Sequence, residues 1–174
     1  MIIKRMTIRD NLEMEAMKMC YGQALSSPDP STQNAAVLCH PDGRYIWATR
    51  SRNEFPSGVV STAARWERPM KYSLVEHAER NSIYTAARLG IATDGLTMVC
   101  PWAACADCAR GIIQAGIRRL VTHSPEDVPR SDHWDISIDT AMTMLDEAGV
   151  TVEYIFGPIG GLPPILRNGE LFTP

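Results

Sequence analysis

Two short stretches constrain this chain more than any others. "EHAERN", residues 76–81, sets His77 and Glu79 one residue apart in what reads as a helix, and "CADCARG", residues 105–111, sets Cys105 and Cys108 three apart at the start of another. Two residues of helical rotation amount to about 200°, so His77 and Glu79 should point apart although both handle protons or metal. Cysteines at i and i+3 on a helix present both sulfurs on one side, and the helix N-terminus favours the thiolate that binds metal. Each half alone is weak. An HxE triplet arises often by chance, and a lone CxxC fits a redox pair, half of a structural zinc site or coincidence. Together, with a strand before the second helix, they read as one site in which His77, Cys105 and Cys108 hold a Zn²⁺ ion. Three protein ligands leave a tetrahedral ion a place for water, which marks a catalytic site rather than a closed structural one. Glu79 is then a base beside the metal, placed to move protons to and from a bound water.

The rest of the composition narrows the class. With 174 residues the chain is long enough for one domain with a core and short for two, so residues 1–174 read as a single domain. The formal net charge is −3, which argues against a nucleic-acid polymer as partner, since such proteins carry a basic surplus. A small anionic ligand needs only a few well-placed cations and remains open. The N-terminal "MIIKRMTIRD" has no signal-like apolar core and no stretch has the length of a membrane span. The five cysteines form no regular framework. A cytoplasmic protein is the expectation, where CxxC means metal or redox chemistry more often than a disulfide.

Periodicity gives an order of elements. "TIRDNLEMEAMKMCYGQALSS" reads as a first helix, with Asp10 and Glu13 as a capping box and Leu12, Ala16, Met19, Cys20 and Ala24 on one face. "AAVLCH" and "RYIWATR" flank the turn "PDG" as a hairpin. After a long polar connection, a helix runs from about Glu76 to Leu89 and ends at Gly90. The strand "LTMVC", a helix from Cys105 to Ala115 ending at Gly116, the strand "RRLVTH", a helix ending at Gly149 and the strand "VTVEYIF" follow. Such alternation predicts a layered α/β domain with parallel later strands. Residues 156–174, rich in glycine and proline, read as a tail over the surface. Cys20, Cys39 and Cys100 read as small buried hydrophobes, His123 and His133 as polar surface residues, and His133 with Trp134 as a second option for a cap on the site's mouth.

Over roughly residues 9–155 the chain resembles the cytidine deaminase superfamily, and within it the deoxycytidylate (dCMP) deaminases. The resemblance rests on "SSPDPSTQNAAVL", "RNEFPSGV", "RWERPMKYSLVEHAERNSIYTAARLG", "CADCARGIIQAGIRRLV" and "AMTMLDEAGV". It implies a three-layer α/β/α sandwich with a mixed five-stranded sheet, assembled as a homo-oligomer from dimer to hexamer. It also implies a small-molecule nucleotide substrate, no membrane partner, and zinc-dependent hydrolysis of dCMP to dUMP and ammonia, with Glu79 moving the protons. Asn53 would contact the sugar, the Ala78 N–H and the Ala103 carbonyl would read the base edges, and Ala36 would lie against the base. Arg65, Arg68 and Lys71, which precede the zinc helix, are the cations considered for the phosphate; a solvated charged loop is the other reading of the three.

Three departures from the family pattern matter. Ala104 replaces the proline before the first cysteine, which loosens the turn without removing a ligand. Glu54 replaces the glycine after Asn53, and a carboxylate there repels a triphosphate, which argues against control by dCTP or dTTP. Asn34 and Ala35 replace an apolar–glycine pair at the first strand and point to an altered base, such as a 5-substituted deoxycytidylate. Two rivals stay open: a zinc deaminase for a modified deoxycytidylate or another nucleoside or base, and a non-catalytic zinc-stabilised module with Cys100 closing the fourth ligand position.

Overall fold

The chain is described by a computed structural model over residues 4–5, 11–40, 42, 46–129 and 132–174. The strands are β1 (Lys4–Arg5), β2 (Ala35–Cys39), β3 (Ile46–Arg52), β4 (Thr97–Cys100), β5 (Arg119–His123), β6 (Thr151–Ile155), β7 (Ile165–Arg167) and β8 (Glu170–Phe172). The α-helices are α1 (Asn11–Ala24), α2 (Met70–Leu74), α3 (Ala78–Arg88), α4 (Ala106–Gln114) and α5 (Asp135–Glu147). The main sheet has the order β1-β6-β5-β4-β2-β3. β4, β5 and β6 run parallel, while β2 pairs antiparallel with both β4 and β3. The expected mixed five-stranded sheet is thus β2 to β6, and the two-residue β1 extends it at one edge. Among the described residues no helix is long and apolar enough to cross a membrane.

Side chains alternate across a strand, and that alternation sorts the core into two layers. Ala36, Leu38, Met98, Cys100, Leu120 and Val152 face α3, α4 and α5, where they meet Ala86, Cys108, Ile112, Ala141 and Leu145. Their neighbours Ala35, Val37, Cys39, Val99, Val121 and Ile155 face the other way, onto Ala16, Met17, Cys20, Tyr21 and Ala24 of α1. The result is the α/β/α sandwich. Parallel strands joined through helices need crossovers; α4 and α5 supply them and both lie on one face. Gly111 of α4 helps this layer close up, because a Cβ there would sit 3.4 Å from Cγ of Arg80 on α3.

Most of the sequence expectations hold, with shifts that have physical causes. Gly90, Gly116 and Gly149 end their helices with positive φ of 69°, 72° and 72°, the left-handed conformation that costs glycine no Cβ clash. The buried stripe of α1 takes in Met17 and Tyr21, and Met19 is only partly buried. Asp10, the expected cap of α1, lies outside the described residues, as does part of the "PDG" turn. Helices α3 and α4 each begin later than expected: His77 and Cys105 are N-cap residues with extended backbones, at φ/ψ of −74°/152° and −78°/169°. The segment 53–77 is not featureless, since it holds a 3-10 turn over Ala63–Trp66 and the short α2.

Residues 156–174 do more than lie over the surface. β7 and β8 form a hairpin, and Ile159 and Ile165 are buried against the α1 side of the sheet. The Gln33 N–H donates to the Leu166 carbonyl and the Leu166 N–H to Gln33 Oε1, both at 2.9 Å, and the Gly169 N–H donates to the Ser31 carbonyl at 2.7 Å; these bonds fasten the hairpin to the segment before β2. His123 also departs from the surface expectation. It is 2% exposed, its Nε2 lies 2.9 Å from the Gly157 carbonyl and its Nδ1 2.6 Å from the Tyr21 hydroxyl. A carbonyl only accepts, so Nε2 carries the proton and Nδ1 accepts from Tyr21; burial, which lowers the His123 pKa, keeps the ring neutral.

The turn between α4 and β5 gives a direct test of this backbone logic. Gly116 needs positive φ, and a Cβ there would sit 2.4 Å from Asp94 Oδ1 and 3.0 Å from Asp94 Cα, whereas Gly90 has similar φ and open space. Gly116→Ala should lower the unfolding free energy by about 1–3 kcal/mol, and by more than Gly90→Ala, as read from urea denaturation.

Candidate metal centre and active site

The two helix starts on one side of the sheet bring the expected ligands together. His77, at the N-cap of α3, directs Nδ1 to Sγ of Cys105 and Sγ of Cys108, each 3.5 Å away. The three ligand atoms lie within 4.8 Å of one another, and among the described residues no other group of His, Cys, Asp and Glu side chains does this. The spacing is a quantitative fit. A tetrahedral zinc with bonds of about 2.3 Å to sulfur and about 2.05 Å to nitrogen separates S and N by about 3.5 Å. Cys100, the candidate fourth ligand of a closed site, lies outside this group and exchanges contacts with Asn34 at 3.4 and 3.6 Å. The donor set therefore suits a zinc ion held by three protein ligands.

Electrostatics prepare the site. The hydrogen bond from Cys108, helped by His77, pulls the Cys105 thiol down to a pKa of about 3, against the effect of burial. Burial, with the Cys105 charge, pushes the Cys108 thiol well above its usual range. Of the two thiols Cys105 is thus the one favoured as thiolate and Cys108 the one favoured as thiol. Burial works to lower the His77 pKa, but its bond to Cys105 and the nearby Glu79 and Cys105 charges prevail and raise it. Arg80, held by an ion pair to Glu76, places a guanidinium nitrogen 3.6 Å from Cys108 Sγ. The Ser137 hydroxyl from α5 accepts the Ala106 N–H at 3.0 Å, which satisfies one orphan donor at the start of α4. Neither Arg80 nor Ser137 stands out in the sequence, since each is one polar residue on an ordinary helix.

Glu79 is 3% exposed and lines the same cleft as His77 and Cys105. The two-residue separation works differently from a turn within one helix: His77 stands before the helix and Glu79 in its first turn, so both reach one space. Burial raises the Glu79 pKa, against the pull of His77. Its Oε2 lies 3.5 Å from Nδ2 of Asn34, a residue 3% exposed.

The cleft opens to solvent and is lined by both polar and apolar side chains, among them Asn34, Glu79, Trp102 and Trp134. Asn53 lines it but is already engaged: its Oδ1 accepts the Ala78 N–H and its Nδ2 donates to the Thr32 carbonyl, both at 3.0 Å. The Ala78 N–H, expected to read the base, is the donor that Asn53 satisfies. Ala103 lines the cleft, and Ala36 lies fully buried behind it in the core. Trp134 also lines it, edge-on to the His77 ring at 5.7 Å, while His133 stacks on Tyr72 at 5.3 Å.

The three candidate cations separate. Arg65 donates to the Val60 carbonyl at 2.9 Å and lies outside the cleft wall. Arg68 reaches the wall but is exposed, with its guanidinium 5.9 Å from the Tyr72 ring centre. Lys71 is buried, with Nζ 2.7 Å from Asp29 Oδ1. Sequence reading missed Arg167 and Asn168, which the C-terminal hairpin brings to the wall; no periodic pattern or motif there gave a signal. Glu54 pairs with Arg52 Nε at 2.9 Å, and its backbone pairs with Glu76 in both directions, at 3.2 and 2.9 Å.

Because Cys108 must give up a proton when zinc binds, apparent zinc affinity should rise with pH through the neutral range. Competition with a chromophoric chelator at several pH values measures the slope, and a flat profile counts against the protonation scheme. Cys108→Ser should lose stoichiometric zinc by metal analysis.

Residues 10–124 match the family described as the cytidine and deoxycytidylate deaminase zinc-binding region. The chain is 33% identical over 130 residues to an uncharacterised deaminase from the luxG 3′ region of Aliivibrio fischeri, a match covering 74% of this chain and 83% of that one. It is 28% identical over 141 residues to the deoxycytidylate deaminase of Pongo abelii, covering 78% of this chain and 74% of the relative. Among solved structures, the dCMP deaminase of cyanophage S-TIM5 crystallised with dCMP and dUMP superposes with a TM-score of 0.67 at 22% identity, over 86% of this chain and 100% of that one. With His77, Glu79, Cys105 and Cys108 all inside the matched stretch, the chain belongs to the family of cytidine and deoxycytidylate deaminases.

Proposed function

We propose that the chain is a zinc-dependent hydrolase that converts dCMP and water to dUMP and ammonia. One observation carries the reading: a buried glutamate of raised pKa shares a cleft with a three-ligand His/Cys/Cys zinc site. His77, Cys105 and Cys108 would hold the zinc ion, which when bound would supply an acidified water for attack. Glu79 takes one proton from the attacking water and passes it to the ring nitrogen beside the amine-bearing carbon, then takes the second from the added hydroxyl as the carbonyl forms and gives it to the departing amine, which leaves as ammonia. A carboxyl group whose pKa is raised by burial is suited to both halves of that shuttle. Trp134 and Ala103 wall the space for a flat base. The cyanophage enzyme of the same fold was solved with dCMP and dUMP, which supports a nucleoside monophosphate as the substrate class.

A second reading has its own observation. Asn34 brings a carboxamide to the cleft wall beside Glu79, which suits a pyrimidine bearing a polar group at carbon 5. An ammonia-release assay across dCMP, 5-methyl-dCMP, 5-hydroxymethyl-dCMP, CMP, deoxycytidine and guanine separates the two. Preference for dCMP supports the first, and preference for a 5-substituted deoxycytidylate the second. Clear preference for unphosphorylated deoxycytidine rejects both. Glu79→Gln should lower turnover by about 10²–10⁴-fold with zinc content unchanged, and a wild-type rate in that variant would remove Glu79 from its role.

A further inference from the structure

We infer that Arg167, delivered by the C-terminal hairpin, is the residue that recognises the 5′-phosphate of the substrate. This rests on the reading that the substrate is a nucleotide. It concerns a residue beyond the 10–124 stretch that the family match covers.

The observations on Arg167 agree with one another. Its guanidinium carbon sits 4.5 Å above the ring centre of Trp102, a cation–π arrangement that fixes the plane and leaves the N–H edge available. Trp102 is itself rigid, 2% exposed and bonded through Nε1 to the Gln33 carbonyl at 3.0 Å. The same Gln33 fastens β7 through Leu166, next in sequence to Arg167. Arg167 is partly buried on the wall of the cleft that also holds Glu79 and His77. Of its five donors, only Nε approaches an acceptor among the described residues, the Pro129 carbonyl at a stretched 3.5 Å. No carboxylate of the described residues lies within ion-pair distance of it.

A desolvated cation without a counter-charge is costly, and burial accordingly pulls the Arg167 pKa down. A dianionic group in the cleft would remove that cost, and a planar fork suits two phosphate oxygens. The other cations are less suited. Lys71 is committed to Asp29, Arg65 lies off the wall, and Arg68 is exposed at the mouth, where solvent screens its charge. Arg167 alone among the four is partly buried, stacked on a fixed ring and without a carboxylate at ion-pair distance among the described residues.

The test compares the affinity of zinc-loaded protein for dUMP with that for deoxyuridine by isothermal titration calorimetry, so that the ratio reports the phosphate alone. Arg167→Ala should weaken dUMP binding about 10–100-fold and leave deoxyuridine binding within about twofold, and Arg167→Lys should recover part of the loss. A purely structural role for the hairpin would weaken both ligands together and lower the melting temperature of both variants, and that pattern overturns the inference. So does an unchanged ratio in Arg167→Ala, or a ratio that collapses in Arg68→Ala instead; in these cases the nucleotide reading stands. A wild type that binds both ligands equally well removes the nucleotide reading, and this inference with it.

Discussion

The site depends on two helix N-termini meeting at one point. His77 and Cys105 are each the last extended residue before a helix, so the chain turns into α3 and α4 where the metal ligands stand. The positive ends of both helix dipoles converge there, and the first N–H groups of the two helices, those of Ala78 and Ala106, are satisfied by Asn53 and Ser137. This is a favourable setting for thiolates and a poor one for an ammonium or a bare metal ion. The sheet sets the convergence: β4 feeds α4, while α3 packs on the same face beside it. Cys108 and Glu79, one turn inside their helices, then complete the ligand set and bring the buried carboxyl group to its side.

The sequence made this arrangement legible because its signals are local. HxE and CxxC are short patterns, strand and helix periodicity spans ten residues, and glycine marks helix ends by a conformational rule that needs no tertiary context. The same locality explains the shifts. A cap residue has the composition of a helix residue, so His77 and Cys105 read as helical although their backbones are extended. His123 read as a surface residue because nothing near it in sequence announces Tyr21 or Gly157, the groups that satisfy its two nitrogens.

Cleft residues were legible only where the chain passes close to the metal. Asn34 stood out as a departure, and it does lie beside Glu79. Lys71 read as a free cation, and only the fold reveals Asp29 as its partner. The C-terminal segment was the least legible, since glycine and proline erase the periodicities on which sequence reading relies. Its two short strands are held by bonds to residues 31–33, a pairing across most of the chain that no local pattern encodes.

The pairing of Glu54 with Glu76 has a consequence for how such a protein can diversify. It ties off residues 55–75 at their base, directly beside Asn53 and His77, so the excursion hangs from a closed neck. Its outer part, residues 56–65, is exposed and can vary while the neck keeps His77 in position. Relatives can acquire new preferences at the rim of the cleft without rebuilding the chemistry beneath it.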